Sequence, residues 1–207
     1  MSIKNLYTNE PQGIYDAVTH ADGPKGTLPL TPDMLKTLPS GNIFGMTMNA
    51  GEGWNTDTLA NGDVMIISTK GGLRNPIAVG LHQGHYELDI QVAEAADEIK
   101  NMGLVPYAAF VSDPCDGRTQ GTIGMFDSLP YRNDAAIVMK RLIRSLPTRK
   151  AVIGIASCDK GLPATMMALA SMHDIATVLV PGGSTLMPNK GEDLGTVQTI
   201  SVRFANG

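Results

Sequence analysis

From residue 62 onward, short apolar runs alternate with longer stretches in which apolar residues recur every three or four positions. This is the pattern of an α/β domain. Val64-Met65-Ile66-Ile67-Ser68 predicts a buried strand, broken by Gly71-Gly72, and Ile77-Ala78-Val79-Gly80 a second short run. Leu88, Val92, Ala95 and Ile99 give Glu87 to Lys100 one apolar helical face, and Tyr107 to Val111 is the next strand. After a glycine-rich loop, Asp134 is placed to cap a helix running through Ile137, Val138, Leu142 and Leu146, with Arg141 and Arg144 near its negative end and Pro147 stopping it. Ala151 to Ala156 (strand), a helix opened by Pro163 and carrying Met166, Met167, Leu169 and Ala170, and Thr177 to Val180 (strand) form a strand-helix-strand unit. Two strands so joined lie parallel, with a right-handed crossover.

The two ends read differently. Pro11, Gly13, Gly23-Pro24, Gly26, Pro29, Pro32, Pro39 and Gly41 interrupt every periodic run before residue 60. Residues 1–60 are therefore expected to be an irregular, extended arm with short helical turns, one opening at Thr31 as N-cap with Pro32 in the first helical position. Past Val180 only Val197 to Val202 suggests a strand. The expected architecture is this arm followed by a three-layer α/β domain over residues 61–207, built on a mainly parallel sheet.

Composition narrows the function. Of 207 residues 43% are hydrophobic and 17% charged, and 16 basic against 20 acidic residues leave a formal charge of −4. No basic cluster offers an electrostatic footprint for nucleic acid. No run reaches the roughly 18 apolar residues of a membrane span, and the amino terminus lacks the apolar core of a signal peptide. Two cysteines, Cys115 and Cys158, are too few for a disulfide framework, which points to a reducing cytoplasm.

Three places concentrate chemistry. Ser157-Cys158-Asp159-Lys160-Gly161 follows a strand and precedes a helix, the edge at which parallel sheets bind ligands. A helix N-terminus there favours the charged, metal-ligating forms of Cys158 and Asp159. Ser112 to Gly121 follows the strand ending at Val111. If the two strands are neighbours, Asp116 and Asp159 meet, offering two carboxylates to a hard cation such as magnesium, with the two thiols nearby as softer ligands. His82 and His85, between a short strand and a helix, are positioned for an anionic substrate or a metal, or for capping. Neither a Walker loop nor a nucleophile elbow is present: Asp159 stands where the second glycine of the former belongs, and Gly182-Gly183-Ser184 lacks the trailing glycine of the latter.

Asp116-Gly117-Arg118-Thr119-Gln120-Gly121-Thr122-Ile123-Gly124-Met125 with Ser128-Leu129-Pro130-Tyr131-Arg132, Ser157 to Met167, and Val180-Pro181-Gly182-Gly183 occur in an order that resembles the dihydroxy-acid and phosphogluconate dehydratase superfamily. Thr19 to Pro24 and Leu81 to Asp89 look most like its sugar-acid branch, which acts on D-xylonate. The resemblance implies a hydro-lyase that forms a 2-keto-3-deoxy acid. It implies magnesium held by Asp116, Asp159 and a carbamylated, catalytic Lys160, and an iron–sulfur cluster on Cys158. It also puts His85 and Gly183 at the substrate. A further cluster cysteine expected near Gln83-Gly84-His85 is missing, and Cys115 is the candidate replacement. Family members are longer. A β-rich C-terminal domain, another cluster cysteine, a magnesium-binding glutamate and a serine base are expected beyond Gly207, so the chain alone is expected to be inactive without that half or a dimer partner. Two rival expectations are a non-catalytic remnant that binds sugar acid or dimerises with a full-length dehydratase, and a zinc domain using Cys115, Cys158 and His85.

Overall fold

The computed structural model describes residues 28–70, 86–112, 114, 116–182 and 200–207. Its centre is a four-stranded sheet of β1 (Asp63–Ser68), β2 (Val105–Phe110), β3 (Arg149–Ala156) and β4 (Ala176–Pro181), in the order β2-β1-β3-β4, with every pairing parallel. All six residues of β1 are buried. That is why this strand reads as an unbroken apolar run: a central parallel strand is covered on both faces.

Helices supply the covers. On one face, Val64 and Ile66 of β1 and Ile155 of β3 pack against Leu88, Val92 and Ile99 of α4 (Tyr86–Asn101). On the other, Met65, Ile67 and Val152 pack against Ala135, Met139 and Ile143 of α6 (Met125–Ser145) and Ala164, Ala168 and Leu169 of α7 (Gly161–Ala170). The expected three-layer α/β domain with a parallel sheet is thus present. Gly154 fixes how closely α7 lies on β3, because a Cβ there would stand 2.6 Å from Thr165 Cγ2 and 2.8 Å from Leu169 Cδ1.

Several expectations need correction. Strands β2 and β3 are not neighbours, since β1 lies between them. Helix α6 begins at Met125 rather than Asp134 and carries Pro130 inside it. A proline near the start of a helix removes one hydrogen bond, here the one to the Phe126 carbonyl, without ending the helix. Its buried face is Ala135, Met139 and Ile143, while Ile137 and Val138 are exposed; in α7, Met166 and Met167 are likewise exposed and Ala164, Thr165 and Ala168 buried. The weak strand expected at Val197 to Val202 is instead helical from Ile200, in α8 (Ile200–Ala205). Apolar alternation makes a strand only where an edge is available to pair with, and Asn206 N donates to Val202 O within the same turn. The run Ile77 to Gly80 lies outside the described residues.

The described part of the arm is more helical than expected. Thr31 does cap α1 (Pro32–Thr37), its hydroxyl accepting from Met34 N at 3.1 Å. The chain then forms α2 (Ser40–Gly51) and α3 (Thr56–Leu59). Pro39 only precedes α2, where a missing N–H costs nothing, and packing offsets the weak propensity of its glycines. Met46 and Ala50 join Leu59 and Val105 of β2 in a third core, and Tyr107 Oη donates to the buried Asn49 Oδ1.

Candidate functional site

The site lies at the carboxyl ends of the strands. After β2 the chain enters a single helical turn, α5 (Asp116–Thr119), with Asp116 as its first residue. After β3, four residues, Ser157 to Lys160, turn the chain into α7, and Lys160 occupies the N-cap position without a side-chain cap bond. The turn depends on Cys158, whose φ of 69° places it in the left-handed region. It is the one non-glycine residue with positive φ among the described residues. Such a conformation costs an L-residue about 1–2 kcal/mol, and it persists where surroundings impose it, commonly at functional sites. Leu162 N donates to Cys158 O at 3.1 Å, and Ala164 N to Lys160 O at 3.0 Å, locking the turn onto α7.

Although their strands are not adjacent, the two loops meet. Lys160 Nζ donates to Asp116 Oδ2 at 2.5 Å and to Asp159 Oδ2 at 2.7 Å. The side chains of Lys160 and Asp116 are only 13% and 12% exposed, that of Asp159 66%. Ser128 Oγ, from the first turns of α6, donates to the other Asp116 oxygen, Oδ1. Hydrogen bonds to Asp116 and then Asp159 raise the Lys160 ammonium above its ordinary value, against the opposing effect of burial. Burial pushes the Asp116 carboxyl up, but hydrogen bonds with Asp159, Lys160 and Ser128 together outweigh it and hold it below the ordinary carboxylate range. Two carboxylates thus converge on one internal cation.

Of the residues expected at the site, Asp116, Asp159 and Lys160 come together, and Cys158 belongs to the same loop, its Sγ 3.5 Å from Ser157 Oγ. Cys115, His85 and Gly183 lie outside the described residues. Ser128 falls within one of the family-like sequence blocks, yet nothing in its spacing points to Asp116, because their contact spans a turn whose geometry the sequence does not reveal. Tyr131, from the same block, donates through Oη to the Ser112 carbonyl and ties α6 to the loop after β2. On the opposite face of the sheet, Lys70 pairs with Asp89 and lies 4.7 Å from the centroid of the Phe110 ring.

The donor set bears on which ions the site suits. Two carboxylates around a displaceable ammonium suit a hard divalent cation, which takes oxygen ligands. The described residues bring a single thiol to this edge, fewer than an iron–sulfur cluster needs, and among them no group of three or more His, Cys, Asp or Glu side chains forms a ready-made metal cage.

The structure thus defines a parallel α/β domain with an acidic, lysine-bridged edge and a cysteine of left-handed backbone beside it. The chain belongs to the dihydroxy-acid/6-phosphogluconate dehydratase N-terminal family, which matches residues 76–207. Over its whole length it is 65% identical to D-xylonate dehydratase YjhG and 63% identical to D-xylonate dehydratase YagF, both of Escherichia coli K12. It covers 32% of each, so it spans about a third of these relatives. A dihydroxy-acid dehydratase of Clostridium pasteurianum is 32% identical over 55% of this chain and 40% of its own. The xylonate dehydratases also match the first 75 residues, which the family match leaves out.

Proposed function

We propose that this chain is the N-terminal, cation-binding portion of a cytoplasmic sugar-acid dehydratase that removes water from D-xylonate or a close analogue. The convergence of Asp116 and Asp159 on one cation position carries the reading, supported by 65% identity to a D-xylonate dehydratase. In the reaction the 2,3-dihydroxy acid loses its C2 proton and its C3 hydroxyl as water, and the resulting enol tautomerises to the 2-keto-3-deoxy acid.

Asp116 and Asp159 would hold magnesium, and Cys158, with Cys115 as the candidate second thiol, would ligate an iron–sulfur cluster. When bound, these groups supply Lewis acidity, the magnesium at the substrate carboxylate and 2-hydroxyl, the cluster at the departing 3-hydroxyl. Ser128 holds Asp116 through Oδ1 and leaves Oδ2 to the cation. Lys160 as an ammonium has no lone pair and fills the cation position itself. Loss of a proton, addition of carbon dioxide to the free amine and loss of a second proton would convert it to a carbamate, a third oxygen ligand in place of a competing charge. His85 and Gly183 are assigned to the substrate.

Two carboxylates and the Cys158 thiol, with Cys115 as the candidate second, make half a site, so the remaining ligands and the C2 base are assigned to the polypeptide that makes up the other two thirds of the relatives. Ile123, Phe126 and Leu129, just before and within the first turns of α6, are exposed at 86%, 80% and 53% and give that polypeptide apolar surface to cover. The same surface favours a second reading, a non-catalytic chain that associates with itself or with a full-length dehydratase. Anaerobic purification with iron, sulfide and magnesium analysis and a 2-keto acid assay on D-xylonate tests both. The half-site reading expects turnover only when the C-terminal portion of YjhG is supplied. Turnover by the isolated chain refutes it, and no turnover with tight association to full-length enzyme favours the second reading.

A further inference from the structure

We propose that Thr69 is a further positioning residue of the cation site, its hydroxyl holding a water on the bound divalent cation. The inference rests on the cation-site reading above. Thr69 follows the central strand and is still held to the sheet: its N donates to Ile155 O at 3.2 Å, and Val111 N donates to the preceding Ser68 O at 2.8 Å. Continuing the register Ser68↔Phe110 and Ser68↔Ile155 by one residue sets Thr69 between Val111 and Ala156. These are the last positions before the loops that carry Asp116 and Lys160. Alternation along the strand puts Thr69 on the face of Met65 and Ile67, the face covered by α6 and α7, which bring Ser128 and Lys160 to the site.

Among the described residues the hydroxyl has nothing to bind. Thr69 is 0% exposed, and its Oγ1 lacks a hydrogen-bond partner among the described residues. Neighbouring hydroxyls on this face are satisfied: Ser128 donates to Asp116, and the fully buried Thr165 donates to Gly161 O. Most buried polar side-chain atoms are paired, and an orphan at a ligand-binding edge points to something the protein binds there. A threonine between two cation-ligand loops suits a cation-bound water, because a hydroxyl accepts from such a water and adds no charge to a site already holding two carboxylates. Lys70, the next residue, faces away to Asp89 and does not compete for the role.

Titration of the chain with Mn2+, followed by water-proton relaxation, tests the inference alongside melting temperatures measured without metal. Wild type is expected to bind Mn2+ and Asp116→Asn to lose it. Thr69→Val, which keeps the shape but removes the hydroxyl, is expected to weaken binding roughly tenfold, with Thr69→Ser within about twofold of wild type. Without metal, Thr69→Val is expected to melt no lower than wild type, since it removes an unpaired hydroxyl. Unchanged Mn2+ affinity in Thr69→Val overturns the role of Thr69 alone. A lower metal-free melting temperature, or failure to fold, does the same, because the hydroxyl then has a partner in the protein itself. Wild type that does not bind Mn2+, or binds it no better than Asp116→Asn, overturns the cation site and this inference together.

Discussion

Replacing Gly154 by alanine tests the link between packing and the site. A Cβ at this position would stand 2.6 Å from Thr165 Cγ2 and 2.8 Å from Leu169 Cδ1, both on α7. Carbon atoms pack at about 3.5–4.0 Å, so relief requires roughly 1 Å of movement. The Leu169 terminus can rotate, but Thr165 is β-branched and its hydroxyl is tied to Gly161 O at 2.9 Å, so α7 itself must shift. Overpacking of this kind costs about 1–3 kcal/mol, or roughly 2–12 °C in melting temperature for a chain of this size. Because Lys160 sits at the N-terminus of α7, a shift of roughly 1 Å stretches its 2.5 Å bond to Asp116 towards the limit of a hydrogen bond. Thermal unfolding and Mn2+ titration of Gly154→Ala should therefore report both a lower melting temperature and altered affinity. Gly45→Ala, in α2 with nothing within 4 Å of the added Cβ, is the control and should gain about 0.5–1 kcal/mol. A Gly154→Ala protein melting within about 1 °C of wild type, the error of the measurement, would refute the reasoning.

Two other outcomes follow from single residues. Burial raises the Asp63 carboxyl above its ordinary value despite the hydrogen bond from Thr148 and the charge of Lys150. Folding therefore favours its protonated form, and its penalty is absent below the unfolded pKa and complete above the folded one. Asp63→Asn, which still accepts from Thr148, should melt higher than wild type at pH 8, with the gap closing as pH falls towards 4; a gap independent of pH would contradict it. Cys158→Gly should relieve the left-handed backbone and stabilise the fold by about 1 kcal/mol while abolishing any iron–sulfur incorporation; lower stability in urea unfolding would show that the thiol, not the backbone, dominates there.

What could be read from the chain divides along physical lines. Strands β1 and β3 and helix α4 announce themselves because burial on both faces, or on one helical stripe, leaves a periodic trace in the residues themselves. The Asp116 and Asp159-Lys160 pairing was legible only as a condition, that the strands be neighbours, and the site forms although that condition fails. Lysine is long enough to reach across from β3 to the loop after β2 past the intervening strand. Helix α2 leaves no such trace because Gly41, Gly45 and Gly51 argue against a helix locally, and only packing on Val105 and Tyr107 overcomes that local preference. Thr69 and Ser128 carry no signature at all: a buried hydroxyl is ordinary until its partner, or the lack of one, is seen.

The strand order also governs when the site comes into being. Asp116 and Lys160 are 44 residues apart, and neither loop is positioned until β2 and β3 have both docked on β1, in pairings that are parallel and therefore non-local. Such contacts close late in folding. A ribosome-bound chain that has emerged past α5 but not as far as β3 displays Asp116 without the Lys160 counter-charge. On the cation-site proposal, loading would thereby be deferred until the sheet is complete, and capture of the ion would report that the domain has finished folding.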